Sequence, residues 1–193
     1  MAKKYLPVGT HALAARQAIA HANIARSMLA AIEQPGAPDN DPGELLALLM
    51  NAAFSVELFF KALMLGARNG EVTLGHPLVA LLEEFPAEFR ESFEAKYARW
   101  AVGRETKVHY VALRLSASAP ETPDHTPSCA FASFTEAIAS LSDVFVKARY
   151  FFEEVKPEGW AIIVLPEHSL IGILETLEAS YQDLLAGRFG ALE

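Results

Sequence analysis

Two opposite charges stand four residues apart inside a very apolar stretch of the chain. Glu57 and Lys61 belong to the run from Leu45 to Leu65, and in a helix a spacing of four places them on one face in the favourable order. Burial of either charge alone would be costly. We therefore expect the two side chains either to pair as a structural salt bridge or to face a polar cleft, where they would bind a ligand.

Three further polar residues carry expectations of their own. Arg149 flanks the apolar stripe of a late predicted helix and is followed by Tyr150. Arg149 is predicted either to join Glu57 and Lys61 in a network across helices or to lie in solvent, so Arg149 and Tyr150 are candidate ligand-binding residues as well. His76 follows a glycine and precedes a proline at a helix start, where a cap or a loop hydrogen bond is the expected role.

The sequence does not favour metal or cofactor chemistry. His125 and Cys129 are four residues apart but lie in a predicted loop without further ligands nearby. Cys129 is the single cysteine, so neither an internal disulfide nor a thiolate cluster can form. The chain also lacks a glycine-rich phosphate loop, a nucleophile elbow and a paired-carboxylate motif. We predict no metal and no cofactor.

Length and charge set broad limits on function. The chain has 193 residues, of which 52% are hydrophobic, and this suits a single domain over 1–193 with a sizeable core. Its 24 acidic against 16 basic residues give a net charge of −8. The overall field therefore does not attract nucleic acid, although a local basic pocket could. The start of the chain has no secretory n-region and h-region, and the cytoplasm is the expected compartment.

The run from Leu45 to Leu65 is long enough to span a bilayer. However, Glu57 and Lys61 lie near its middle, and each would cost about 2.5–3.5 kcal/mol there. A buried central helix explains the same run without that cost, so we predict no membrane association.

Helix signals and breakers divide the chain into a series of helices. Asp41-Pro42-Gly43-Glu44 is typical of an N-cap, a proline at the first helical position and an acidic first turn, and residues 133–136 form a capping box. A long loop is predicted over 116–128. The predicted helices cover about 10–33, 41–68, 75–86, 87–101, 133–155 and 166–185. These elements predict an all-α fold, a bundle of five to six helices.

Two segments carry more specific expectations. Phe145 and Phe152 belong to an apolar stripe with alternating spacings of four and three along the helix 133–155, and they are predicted to lie in the core. Trp160 to Leu165 is the one strand-like run. Since no partner strand of similar quality is evident in the sequence, we expect it to be an extended connector.

Two segments of the chain share a pattern with a known family. The first contains Glu57 and Lys61-Ala62-Leu63 and leads to Gly75-His76, Leu78 and Leu81-Leu82; the second is the pair Arg149-Tyr150. Together they resemble the HEPN-domain family, in which a helix with this Glu and Lys-Ala spacing leads to a Gly-His segment with leucines, and a later helix carries an Arg-Tyr pair. The likeness covers about residues 45–155.

The resemblance implies a bundle of four to six helices that usually forms a homodimer. Family members act as RNA-cleaving toxins or antiviral effectors, or as noncatalytic partners of nucleotidyltransferases. The catalytic members carry an arginine followed after four to six residues by a histidine, normally where a late helix begins. The histidine moves the proton of the ribose hydroxyl, and the arginine stabilises charge on the phosphate.

This arginine–histidine spacing occurs twice, as Arg16 with His21 in the first predicted helix and as Arg104 with His109 after the fourth. Arg104 and His109 are the better catalytic candidates because they adjoin the long loop and have Lys107 nearby to help hold phosphate. The other reading of the same residues is a solvated charged segment.

Three functions remain as hypotheses. The leading one is a noncatalytic HEPN-type module, expected to be a homodimer, that binds a nucleotide, RNA or a partner protein in a defence or toxin–antitoxin setting. The first alternative is a metal-independent endoribonuclease that uses Arg104 and His109. The second is a structural interaction protein without a nucleic-acid role, which the acidic charge favours.

Overall fold

Helices dominate the part of the chain that the structure describes. The structure, a computed structural model, describes residues 2–7, 9–32, 42–104, 108–114, 133–149 and 160–188. Six helices occupy most of these ranges: α1 (Thr10–Ile32), α2 (Pro42–Ala67), α3 (Leu78–Glu83), α4 (Ala87–Ala101), α5 (Phe134–Arg149) and α6 (Glu167–Leu185). The predicted all-α bundle of five to six helices is confirmed.

The central helix is α2, which contacts α1, α3, α5 and α6. By length and composition the segment Gly43–Ala67 could cross a membrane, but 72% of its most apolar window is buried inside the molecule. Its end follows the expected chemistry, since Asn69 and Gly70 adopt positive φ angles and the Gly70 amide donates to the Leu65 carbonyl. The prediction of a buried central helix is confirmed.

Small residues let α1 lie close against α2. A row of alanines on the inner face of α1 is buried, namely Ala14, Ala15, Ala18, Ala22 and Ala25. The buried Ser55 hydroxyl of α2 donates to the Ala18 carbonyl at 2.8 Å, so this polar group in the seam is satisfied. The outer face of α1 stays exposed.

A cluster of phenylalanines joins α2, α4 and α5. Phe60 lies 5.6 Å from Phe85 and 6.2 Å from Phe93 between ring centroids, and Phe93 lies 5.4 Å from Phe134. Tilted and edge-on arrangements of this kind are the favourable ones for aromatic rings. All four rings are buried, and the cluster fixes the position of α4 relative to the centre of the bundle.

The start of α5 is held by a side chain from α4. Both carboxylate oxygens of Glu94 accept backbone N–H groups, from Phe134 at 2.7 Å and from Thr135 at 2.9 Å. Within the same turn the Ser133 hydroxyl accepts the Glu136 amide at 3.1 Å, one of the two hydrogen bonds of the predicted capping box. The first half of the apolar stripe of α5 is buried; the side chain of Phe145 and all of Phe152 lie outside the described residues.

A small antiparallel sheet joins the start of the chain to the segment after α2. β1 (Ala2–Tyr5) pairs with β2 (Glu71–Leu74). Glu71 anchors the pair, since Lys3 Nζ lies 2.7 Å from its carboxylate and the Tyr5 hydroxyl donates to it at 2.7 Å. The sequence analysis did not predict this sheet.

A second antiparallel pair corrects the prediction for residues 160–165. β3 (Val108–Arg114) pairs with β4 (Trp160–Pro166) over seven residues. The expectation of an unpaired connector is wrong, because residues 160–165 pair with β3, a strand that lies between α4 and α5 in the chain. A local reading found no partner since the two strands are separated by more than forty residues.

Candidate functional site

The charged pair of α2 is present and includes a third residue. Lys61 Nζ donates to Glu57 Oε1 at 2.5 Å, and His76 Nδ1 lies 2.9 Å from the same oxygen. Glu57 is 2% exposed, whereas the side chain of His76 is mostly exposed. The structural salt bridge is therefore formed, and His76 makes the predicted loop hydrogen bond, which ties the segment before α3 to α2.

One oxygen of the buried Glu57 carboxylate lacks a partner within the described residues. Glu57 Oε2 has no hydrogen-bond partner among the residues that the structure describes. A buried charge is stable only when its oxygens are paired, so this network has room for one more donor. Arg149, predicted either to join this network or to lie in solvent, ends α5; its side chain and the whole of Tyr150 lie outside the described residues.

The structure places the two catalytic candidates on different elements. Arg104 follows the end of α4, where Gly103 adopts a φ of +73° and turns the chain back. Its guanidinium lies over the ring of Trp100, 4.7 Å from the centroid, a cation–π contact at an exposed site. His109 belongs to β3, opposite Leu165. The predicted Lys107 lies outside the described residues.

His21, the histidine of the other arginine–histidine pair, has a structural role. Its Nδ1 lies 2.9 Å from Asn51 Oδ1 and its ring meets Phe54 edge-on at 4.8 Å between centroids. Arg16 lies exposed on α1. His21 thus links the outer faces of α1 and α2.

These outer faces carry apolar residues in contact with solvent. On α1, Leu13 and Ile24 are 60% and 46% exposed, and on α2, Phe54 is 39% exposed. We call this surface, together with the His21–Asn51 hydrogen bond between the helices, the α1–α2 face. Leu13 and Ile24 are about three turns apart and so share one side of α1, and exposed apolar patches are typical of interaction surfaces.

A cleft opens between α4 and α6. Its volume is about 410 Å³, within the range of small-molecule sites. From α4 come one aromatic ring and two cations, and from α6 two carboxylates, a threonine and an alanine. The lining residues are Lys96, Arg99, Trp100, Glu175, Thr176, Ala179 and Asp183.

Ion pairs cross the cleft and flank it. Lys96 Nζ lies 3.1 Å from Asp183 Oδ2, and Arg188 also binds Asp183. Burial by itself raises the pKa of Asp183, but the hydrogen bonds from Arg188 and Lys96 outweigh it and hold the pKa below its usual range. Glu175 is bound from outside the cleft by Arg26 at 2.9 Å. The Lys96–Asp183 bridge thus joins α4 to α6.

Thr176 is the polar group of the cleft that stays unsatisfied. The residue is 1% exposed, and its Oγ1 has no hydrogen-bond partner within the described ranges. Ser180, one turn later, instead bonds back to the Thr176 carbonyl at 2.7 Å, as helical serines do. A buried hydroxyl without a partner is uncommon in native proteins.

Sequence reasoning missed the cleft. Trp100 and Thr176 are single residues in two helices that lie far apart in the chain, and neither belongs to a motif. The usable signal was Gly172 in the middle of the last helix, since a glycine inside a helix is destabilising unless something packs closely against it. In the structure the indole of Trp100 occupies that place.

Comparisons of the chain with protein-family models, with curated proteins and with solved structures found no match. Any functional assignment therefore depends on the chain's own residues.

Proposed function

We propose that this chain is a noncatalytic HEPN-type module that works by association, as a homodimer that binds a nucleotide, RNA or a partner protein in a defence or toxin–antitoxin setting. The observation that carries the proposal is the exposed α1–α2 face. Leu13, Ile24 and Phe54 are large, apolar and solvent-exposed there, and a second copy of the same face would cover them in an isologous dimer.

Two features support a second copy as the occupant of this face. The hydrophobic share of the chain, 52%, is slightly high for a single domain. The His21–Asn51 hydrogen bond adds a polar pair among the apolar residues of the face, and a polar group in an apolar interface is a known means of setting its register.

The absence of catalysis is proposed from the placement of Arg104 and His109. The family motif lies where a late helix begins, whereas here Arg104 follows the end of α4 and His109 belongs to a strand. The guanidinium of Arg104 also packs on Trp100. A residue with such a structural contact is less free to stabilise charge on a phosphate.

Association is tested by sedimentation or light scattering at micromolar concentration. We expect a mass about twice the 21.0 kDa of one chain. Phe54→Glu and Ile24→Lys place a charge in the interface and should give monomers. Leu185→Lys is the matched control, since Leu185 is also exposed but lies at the end of α6, and it should leave the dimer intact. A wild-type protein that is monomeric at this concentration would refute the proposed homodimer.

The endoribonuclease alternative keeps one favourable observation, the exposure of Arg104 on the surface. Purified protein is incubated with RNA, alongside Arg104→Ala and His109→Ala. Cleavage that is lost in both variants would replace the noncatalytic proposal with the ribonuclease. If RNA is neither cleaved nor bound while the dimer persists, the structural interaction protein becomes the better assignment.

A further inference from the structure

We propose that the cleft between α4 and α6 binds a small organic anion that carries a planar ring. This inference goes beyond the proposed function, because it requires neither the homodimer nor a HEPN-type role. It depends on three features of the cleft: an unsatisfied buried hydroxyl, an uncommitted arginine and an aromatic wall.

The hydroxyl of Thr176 is the first feature. Thr176 lines the cleft and is 1% exposed, and its Oγ1 makes no hydrogen bond within the part of the chain that the structure describes. A helical threonine normally avoids this by bonding back along its own helix. A ligand in the cleft would supply the missing partner, because a hydroxyl both donates and accepts.

The charge balance of the lining gives the sign of the ligand. Lys96 is paired with Asp183 across the cleft, and Glu175 is paired with Arg26. Arg99 is exposed and has no ion pair among the described residues. The unmatched charge of the site is therefore positive, and a carboxylate or a phosphate monoester matches the planar fork of a guanidinium.

The aromatic wall gives the shape of the ligand. Trp100 is half-buried and lines the cleft beside Arg99, so part of its indole is open to a ligand there. Arg104 packs on the same ring from outside the set of lining residues. Stacking on an indole favours a planar ring. A volume of about 410 Å³ accommodates one small molecule.

The same lining disfavours a nucleic-acid strand. The carboxylates of Glu175 and Asp183 flank the cleft, and the chain carries a net charge of −8. A continuous phosphate backbone needs several cations in a row, whereas a single anionic group needs only Arg99. The proposed ligand is therefore a single small molecule with one anionic group and a planar ring, not a nucleic-acid strand.

The test uses Trp100 fluorescence in a Trp160→Phe background, since the chain has two tryptophans. Four probes are titrated: adenosine 5′-monophosphate, nicotinate, adenosine and inorganic phosphate. We expect quenching by one or both ring-bearing anions and at least about tenfold weaker binding of adenosine and of phosphate alone. The two ring-bearing arms distinguish a phosphate ester from a carboxylate as the source of the anion.

Variants connect binding to the cleft. Arg99→Gln should weaken the better ligand by about tenfold or more, whereas Arg90→Gln, an exposed arginine of the same helix outside the cleft, should leave affinity unchanged. Thr176→Val should weaken binding without lowering the melting temperature. Ser180→Ala removes a satisfied hydroxyl nearby and should leave affinity unchanged.

Three results would overturn the inference. The first is that neither ring-bearing anion binds at about 1 mM. The second is binding that Arg99→Gln and Thr176→Val leave unchanged. The third is a short single-stranded RNA that quenches Trp100 while its monomers do not. The oligomeric state of each variant is measured in parallel, so failure here is separable from failure of the proposed function.

Discussion

A Cβ atom added to Gly172 of α6 would lie 2.6 Å from Cε3 of Trp100 on α4. The missing side chain is therefore what allows the indole to pack against α6. Tyr97 lies almost as close to this position, with Cε2 at 2.8 Å, and its ring stacks against Trp100 at 6.2 Å between centroids. One glycine thus shapes both the contact between the two helices and the aromatic wall of the cleft.

Gly172→Ala should destabilise the protein although it improves helix propensity. Replacing a glycine inside a helix contributes about 1 kcal/mol of stability, but overpacking against two aromatic rings costs about 1–3 kcal/mol. We expect a net loss in the free energy of unfolding, measured by denaturant melts, together with a shift in Trp100 emission.

Gly66→Ala is the matched control. The nearest atom to its added Cβ is Cδ2 of Leu184 at 2.5 Å, the far end of a flexible, partly buried side chain that can rotate away. We expect a change within about 1 kcal/mol. If Gly66→Ala lowers the free energy of unfolding as much as Gly172→Ala does, then the rigidity of the Trp100 indole does not explain why residue 172 is a glycine.

The helices could be predicted because their signals are local. Pro86 precedes α4, and the predicted bounds of that helix, 87–101, are those observed. The capping box at Ser133 places the start of α5 in the same way. Pairings between distant segments have no such signal: the β3–β4 ladder, the β1–β2 sheet and the Glu94 cap on α5 each join residues that are about forty or more positions apart.

In the candidate site, too, features within one helix could be predicted from sequence and features made by packing of distant segments could not. Glu57 and Lys61 were found because their spacing lies within one helix, and the pair is formed. Thr176 and Trp100 could not be found, because an unsatisfied hydroxyl and an aromatic wall exist only after α4 and α6 pack together. In the sequence, Arg99 resembles any solvated arginine. It stands out only in the structure, where the other charged residues that line the cleft form ion pairs and Arg99 forms none within the described residues.

Glu57 and Lys61 should be energetically coupled. Lys61→Met removes the lysine cation from a carboxylate that is 2% exposed and leaves only the contact with His76, and the remaining buried charge should lower the free energy of unfolding by about 2 kcal/mol or more. The double variant Glu57→Leu with Lys61→Met leaves no unpaired charge, so it should be milder than the sum of the single variants. Denaturant melts of all four proteins give the coupling; strictly additive losses would show that the two side chains do not interact.

Tyr181 should make the protein sensitive to alkaline pH. Its hydroxyl lies 3.0 Å from His11 Nδ1, and burial in α6 raises its pKa above the ordinary value of about 10. The folded state therefore keeps this proton to higher pH than the unfolded chain does. The stability that the group contributes is complete below about pH 10 and is lost as the pH rises through the folded-state pKa.

Tyr181→Phe separates this effect from the other titrating groups. At neutral pH it should lower the free energy of unfolding by about 1 kcal/mol, through loss of the hydrogen bond with His11. Between about pH 9 and pH 11 its stability should fall less steeply than that of the wild type. Tyr5→Phe is the control, because Tyr5 is 72% exposed and the hydrogen bond to Glu71 raises its pKa at the surface. Parallel pH profiles for wild type and Tyr181→Phe would mean that the buried hydroxyl does not titrate in this range, whereas a change seen only with Tyr5→Phe would assign the alkaline transition to the β1–β2 sheet.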